Sequence, residues 1–272
     1  MNPAVDTHAH VFTPDLPFVQ PRRYTPPYSA TIEQFAANLD AHGIAMGLMV
    51  QPSFLGTDNS HMLDAMAKFP GRFRATVMLD PATTTEELIA LEKRGAIGVR
   101  FNLAGLPLVD FTSSPYPAFL ARLRERDWHV EIHREGRDLP LLLAPLVESD
   151  MRIVVDHFGR PDPNAPLEDP GFKYLMGVGK NRRIWIKIAA AYRNGLVEAG
   201  DRVAMTMTPR FLEAFGADRL LWGSDWPHTQ HESIVTYAST RAALDRWVPD
   251  AGQRRAILVD APAALFKMQP RV

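Results

Sequence analysis

What most constrains this chain is a rhythm. Short apolar runs alternate with longer amphipathic stretches from one end to the other. Eight runs can be counted: Ala4 to Thr7, Ile44 to Val50, Phe73 to Leu79, Ile97 to Phe101, His129 to Ile132, Ile153 to Val155, Ile184 to Ala189 and Leu220 to Trp222. Between them lie helix-like segments such as 31–40, where Thr31 can cap, Gln34 completes a capping box, and Ile32, Phe35 and Leu39 share one face. Thr84 to Arg94 reads the same way. Repeated strand–helix units build parallel sheets, and eight of them favour a closed (β/α)8 TIM barrel over an open doubly wound sheet. With 272 residues, 46% of them hydrophobic, the chain is long enough to fill one such barrel. No linker or internal repeat divides it, so the expectation is a single domain over residues 1–272.

Two segments break the rhythm. Phe12 to Ser29 is rich in proline and carries Arg22, Arg23, Tyr24 and Tyr28, and it reads as a long loop after the first strand. Asp162 to Pro170 is a second proline-rich loop, after the sixth strand. Both fall on the rim where barrel enzymes place their sites.

Thirty Lys plus Arg against 31 Asp plus Glu give a net charge of -1, so nothing draws the whole molecule to nucleic acid or an anionic membrane. Any preference for anions must be local. The cysteine count of 0 excludes disulfides, a thiolate nucleophile and a cysteine zinc site, leaving His and carboxylates as metal ligands. No apolar run has signal-peptide or bilayer-spanning length, and the expected location is the cytoplasm.

The residues that close the strands are not random. Strand one ends Asp6-Thr-His8-Ala-His10, strand four ends Arg100-Phe-Asn102, strand five ends His133-Arg134, strand six ends Asp156-His157-Phe-Gly-Arg160, and strand eight is followed by Ser224-Asp225-Trp-Pro-His228. Side chains at i and i+2 of a strand share a face, so His8 and His10 can serve one centre. His133, His157 and Asp225 arrive independently at the same rim. His8, His10, His133 and Asp225 make up a three-imidazole, one-carboxylate set suited to a Zn-like divalent ion, with His157 beside its bound water. The ligands are present, and whether the site works with a metal or with the histidines alone stays open. Asp225 can act as base and then as acid, or cap the following helix. Arg100, Arg160 and Arg193 follow strands four, six and seven, where guanidinium groups suit carboxylate binding. His228 is placed to touch substrate. His129 shares parity with Glu131 and His133 and supports the site from deeper in the barrel. His42, His61 and His231 receive solvent or capping roles, with His231 at the start of the last long helix.

Taken together, Val5-Asp-Thr-His-Ala-His10, Val50-Gln-Pro-Ser-Phe-Leu-Gly-Thr-Asp-Asn59, Gly98-Val-Arg-Phe-Asn102, Val155-Asp-His-Phe-Gly-Arg-Pro161 and Leu221-Trp-Gly-Ser-Asp-Trp-Pro-His228 resemble the amidohydrolase superfamily, amidohydrolase-2 type. The nearer likeness is to its branch of 2-pyrone-4,6-dicarboxylate lactonases. The resemblance implies that His8, His10, His157 and Asp225 surround a lactone carbonyl, that arginines bind the substrate's carboxylates, and that Tyr24 and Ser53 reach the substrate. The chain departs from the branch twice. His133 stands where the pattern has tyrosine, in a branch that does not require metal, and Asn102-Leu-Ala-Gly-Leu106 lacks a further basic residue that the pattern places after the strand-four arginine. The expected function is a hydrolase opening a small anionic lactone, with a homo-oligomer compatible. The alternatives are an isomerase of a sugar-acid lactone, a metal-dependent decarboxylase and a non-catalytic metabolite binder.

Overall fold

A computed structural model describes residues 3–268. Eight parallel strands lie in chain order: β1 (Val5–Ala9), β2 (Met46–Val50), β3 (Phe73–Val77), β4 (Ala96–Asn102), β5 (His129–His133), β6 (Arg152–Val155), β7 (Ile184–Lys187) and β8 (Leu220–Leu221). The eighth returns to the first. The amide of Thr7 donates to Trp222 O at 3.0 Å and that of Asp225 to His8 O at 2.8 Å, so the sheet closes into the expected barrel. Eight main helices alternate with the strands: α1 (Ile32–Ala41), α2 (Ser60–Ala67), α3 (Thr85–Lys93), α4 (Tyr116–Glu125), α5 (Leu139–Glu148), α6 (Pro170–Gly177), α7 (Val197–Phe215) and α8 (Tyr237–Trp247).

The local signals act as anticipated. Thr31 and Gln34 form a reciprocal capping box at α1, which buries Ile32, Phe35 and Leu39, and Thr84 with Glu87 does the same at α3. Phe12 to Ser29 forms no regular element. Pro170 is the first residue of α6 rather than the end of the preceding loop, because Asp169 caps there and proline suits the first helical position. The expectation for His231 is corrected: it lies in a turn, and α8 starts only at Tyr237, after a capping box between Thr236 and Ser239. His42 caps α1, its ring Nδ1 lying 2.8 Å from Asn38 O.

Alternation along each strand separates two interiors. Residues such as Met49, Val77, Val99, Val130, Ile132, Ile153 and Ile186 face outward into the layer beneath the helices. Of opposite parity, Val5, Met46, Leu48, Val154, Trp185 and Leu221 face into the barrel and pack on Leu265, Phe266 and Met268 of the C-terminal segment. That apolar plug fills one end, leaving the other to Arg100, Asn102, Glu131, His133, Asp156 and Lys187 on the same inward parity.

Closure at β8 also fixes the site's backbone. Asp6 is fully buried, and its Oδ1 accepts from the amides of His8 at 3.1 Å and Ser224 at 2.9 Å while its Oδ2 accepts from the Tyr237 hydroxyl at 3.0 Å. Burial pushes its carboxyl up to about 6 against the pull of these bonds. Gly223 lies so close to β1 that an added Cβ would stand 2.5 Å from His8 Cβ and 2.8 Å from its amide nitrogen. Gly223→Ala must therefore displace strand one. We expect a loss of about 1–3 kcal/mol, as for other overpacked interiors, read by thermal denaturation, with activity falling further than the folded fraction.

Candidate active site

The polar half of the barrel is built around Lys187. This ammonium is fully buried at the end of β7 and has three acceptors: Glu131 Oε2 at 2.5 Å, His8 Nδ1 at 2.9 Å and Asp156 Oδ1 at 3.4 Å. Arg100 adds a second buried cation, 2.8 Å from Asp156 Oδ2 and 3.3 Å from Glu131 Oε1. Two cations therefore face two carboxyl groups. Burial and the charge of Asp156 raise the Glu131 carboxyl. Burial works the same way on Asp156, but Lys187 and Arg100 outweigh it and hold that carboxyl well below its ordinary range. Arg100, expected to bind substrate, thus has its guanidinium engaged within the barrel, with one face still lining the cavity above.

Above the quartet sit the imidazoles. The ring centroids of His8 lie 5.0 Å from those of His10 and 4.9 Å from those of His157, and His133 lies 5.0 Å from His157. Nδ1 of His10 lies 2.7 Å from Val50 O and Nδ1 of His133 lies 3.1 Å from Asn102 Oδ1, each consistent with an N–H donor that turns the Nε2 lone pair inward. Burial lowers His157 to about 3 despite the neighbouring Asp156 and Asp225. Burial also holds His8 and His133 well below the ordinary histidine value, joined by Lys187 for the first and by His157 and Arg100 for the second. Around neutral pH these three rings are neutral.

Asp225 completes the group. Its Oδ2 accepts from Tyr192 Oη at 2.5 Å and Arg193 Nε at 2.6 Å. Oδ1 has no hydrogen-bond partner among the described residues and lies 3.4 Å from His10 Nε2 and 3.6 Å from His8 Nε2. Burial raises the carboxyl, but Arg193, His10, His157 and His8 prevail and keep it ionised far below the usual range. Arg193, predicted as a substrate ligand, lines the cavity but is paired with Asp225.

The backbone that aims these groups is unusual. His157, Phe158, Arg160, Ala190, Asp225, His228 and Gln230 all have positive φ, between 49° and 70°, in the turns after β6, β7 and β8. Such residues without glycine's freedom concentrate where a side chain must be turned to a task.

A cavity of about 220 Å³ opens over the group, lined in part by His10, Arg23, Tyr24, Ser53, Asn102, His133, His157, Arg160 and Asp225. Tyr24 and Ser53 are therefore at the cavity, as the resemblance implied. His8 lies beneath it. His228 is buried beside Tyr192, ring centroids 6.2 Å apart, and does not line it. His129 lies deeper, where its Nε2 is 3.0 Å from Thr76 Oγ1. Over the cavity the β1–α1 loop is tied to the β8–α8 loop, since Tyr24 and Tyr28 both donate to Glu232 Oε1, at 3.0 and 2.5 Å.

Among the described residues two triplets have the spacing of metal ligands, each with its ligand atoms within 4.8 Å of one another: His8, Glu131 and Asp156, and His8, His157 and Asp225. The first already surrounds the Lys187 ammonium. The second fits a divalent cation: His8 Nε2, His157 Nδ1 and Asp225 Oδ1 are buried, lack hydrogen-bond partners among the described residues and converge. With a cation on Nε2, Nδ1 of His8 would carry the proton and turn it to Asp156 Oδ1, 3.4 Å away, and would give up its bond from the Lys187 ammonium. The compact triplet differs from the expected set in taking His157 in place of His10 and His133.

The sequence model of the amidohydrolase family matches residues 5–268. The chain belongs to the amidohydrolase family. It is 33% identical to a 4-sulfomuconolactone hydrolase of Hydrogenophaga intermedia, over 96% of this amidohydrolase and 88% of the relative. It is also 33% identical to a 2-pyrone-4,6-dicarboxylate hydrolase of Comamonas testosteroni, covering 97% and 90%. Among solved structures, a probable 2-pyrone-4,6-dicarboxylic acid hydrolase from Acinetobacter baumannii with citric acid bound superposes with a TM-score of 0.94 at 38% identity, covering 98% and 100% of the two chains.

The sequence reading missed Lys187, Tyr192 and Arg23 as site residues. Of these, Lys187 carried a signal, its inward parity with Trp185. Removing one partner of a buried ion cluster leaves a charge uncompensated, typically at a cost of about 3–5 kcal/mol. Lys187→Met should destabilise this amidohydrolase by that amount in denaturant unfolding, and a loss below about 1 kcal/mol would show that the quartet does not hold the barrel interior.

Proposed function

We propose that this enzyme hydrolyses a small lactone carrying anionic groups, with Asp225 as the proton carrier. One observation carries the reading: a buried carboxylate has one oxygen fixed by Tyr192 and Arg193 and the other open, beneath a cavity whose lining is rich in arginine. Ester opening needs a base for water, donors beside the oxyanion and an acid for the departing oxygen. Asp225 Oδ1 takes a proton from water as the water oxygen bonds to the lactone carbonyl carbon. The tetrahedral intermediate collapses by breaking the ring C–O bond, and Asp225 returns the proton to the departing oxygen. Arg193 and Tyr192 restrain the carboxylate so that Oδ1 stays aimed at the attacking water.

The charge of the cavity supports an anionic substrate. Arg160 makes no side-chain hydrogen bond among the described residues, and burial and the charge of Arg193 lower its proton affinity against the pull of Glu135 and Asp225. Names of the relatives point the same way, since a sulfomuconolactone and a pyrone dicarboxylate are both anionic lactones. We further propose a divalent ion at His8, His157 and Asp225, which when bound would polarise the carbonyl.

Asp225→Asn should fold normally by circular dichroism while kcat on an anionic lactone falls by about 10²–10⁴, the usual contribution of a general base. Unchanged turnover would remove Asp225 from the reaction. Elemental analysis of protein purified without added metal should find one divalent ion per chain, reduced in His157→Ala. Equal traces in both would leave carbonyl activation to the imidazoles.

A further inference from the structure

Of the four arginines that line the cavity, two are balanced. Arg100 faces Asp156 and Glu131, and Arg193 faces Asp225. The third, Arg160, has no acid within ion-pair distance among the described residues. The fourth is Arg23, and its partners are all neutral: Asn102 Oδ1 at 2.8 Å, Ala104 O at 3.2 Å and Ser53 Oγ at 3.4 Å. Its charge is uncompensated at short range. Burial and the like charges of Arg100, Arg160 and Arg193 lower its proton affinity, with only Glu135 acting the other way. A cation held among other cations by neutral acceptors costs electrostatic energy that an incoming anion would recover.

The two unbalanced guanidinium groups lie in different sectors of the rim. Arg160 follows β6, whereas Arg23 comes from the β1–α1 loop and is moored to the ends of β2 and β4 through Ser53 and Asn102. Asn102 Oδ1 also faces His133 Nδ1 at 3.1 Å, so Arg23 connects through one amide to the imidazole cluster.

Building on the proposed lactonase reading, we infer that Arg23 is a second anion-binding residue, selecting lactones with two anionic groups, one received by Arg160 and the other by Arg23. The loop thereby supplies the cation that the segment after β4 lacks. Arg23 touches no reacting atom in this scheme, and its effect falls on substrate selection.

The test compares Arg23→Met and Arg23→Lys with wild type on a dicarboxylated pyrone and on the same pyrone with one carboxylate. Losing a charged, bidentate partner should raise KM for the dicarboxylate about 10–100-fold and leave kcat and the KM of the monocarboxylate within about threefold, with lysine recovering part of the loss. Calorimetric titration of citrate and acetate gives a readout without turnover: citrate should weaken about 10–100-fold in Arg23→Met while acetate does not. Equal losses on both pyrones, or unchanged citrate binding, would overturn the inference and make Arg23 a loop anchor only. If wild type opens neither pyrone, the lactonase reading fails, and the citrate titration still decides for or against Arg23 as an anion ligand.

Discussion

The structure depends on a buried ammonium. Lys187, with Arg100 opposite it, offsets the buried carboxyl groups of Glu131 and Asp156, and the four side chains come from β4, β5, β7 and the residue that follows β6. An ion in a low-dielectric interior is tolerated only with its counter-ion in hydrogen-bonding geometry. The quartet thus ties four neighbouring strands at one level of the barrel. The groups proposed to act in catalysis are stacked on that level, beginning with His8, whose Nδ1 meets the ammonium.

The second level is set by how the two ends of the sheet meet. Asp6 bonds the backbone on both sides of the seam, at His8 and at Ser224, so the histidine pair and Asp225 are placed by one side chain. Tyr192 and Arg193 then take one oxygen of Asp225 and leave the other. The carboxylate is held as an anion by Arg193 and the imidazoles and oriented by Tyr192 and Arg193, so Arg193 serves both tasks. Oxygen Oδ1 faces the imidazoles with no donor of its own, an arrangement stable only with a proton, a water or a cation nearby.

Much of this was legible in the chain. The strand ends could be read because a barrel puts reactive groups there, and His8, His10, His133, His157 and Asp225 do converge. The capping boxes at Thr31 and Thr84 could be read because their pattern is local. What escaped depends on three-dimensional placement. A lysine within the run Ile184 to Ala189 carries no mark of the acids it meets on other strands, and only the inward parity shared with Trp185 hints that Lys187 is interior. Tyr192 and Arg193 lie in a short helical turn after a left-handed alanine, and no periodicity announces which way that turn aims them. Arg23 sits in a loop without repeating structure, so its proximity to Asn102, 79 positions away, has no signature in the chain. The role of His231 was misread because the signal that starts the helix, the capping box between Thr236 and Ser239, lies five positions further on.

The left-handed turns after β6, β7 and β8 have a consequence for how this protein can change. Seven residues with side chains occupy a backbone region that such residues seldom adopt, at an energetic disadvantage of order 1–3 kcal/mol each where the conformation is sparsely populated. That disadvantage lies in one half of the molecule and coincides with the reactive groups. Glycine at His157, Arg160, Asp225 or His228 would relax the main chain but remove the imidazole, guanidinium or carboxylate that the bend presents. Greater heat resistance is therefore more accessible by engineering the regular opposite half, from the second to the fourth repeat, than by easing the bends themselves.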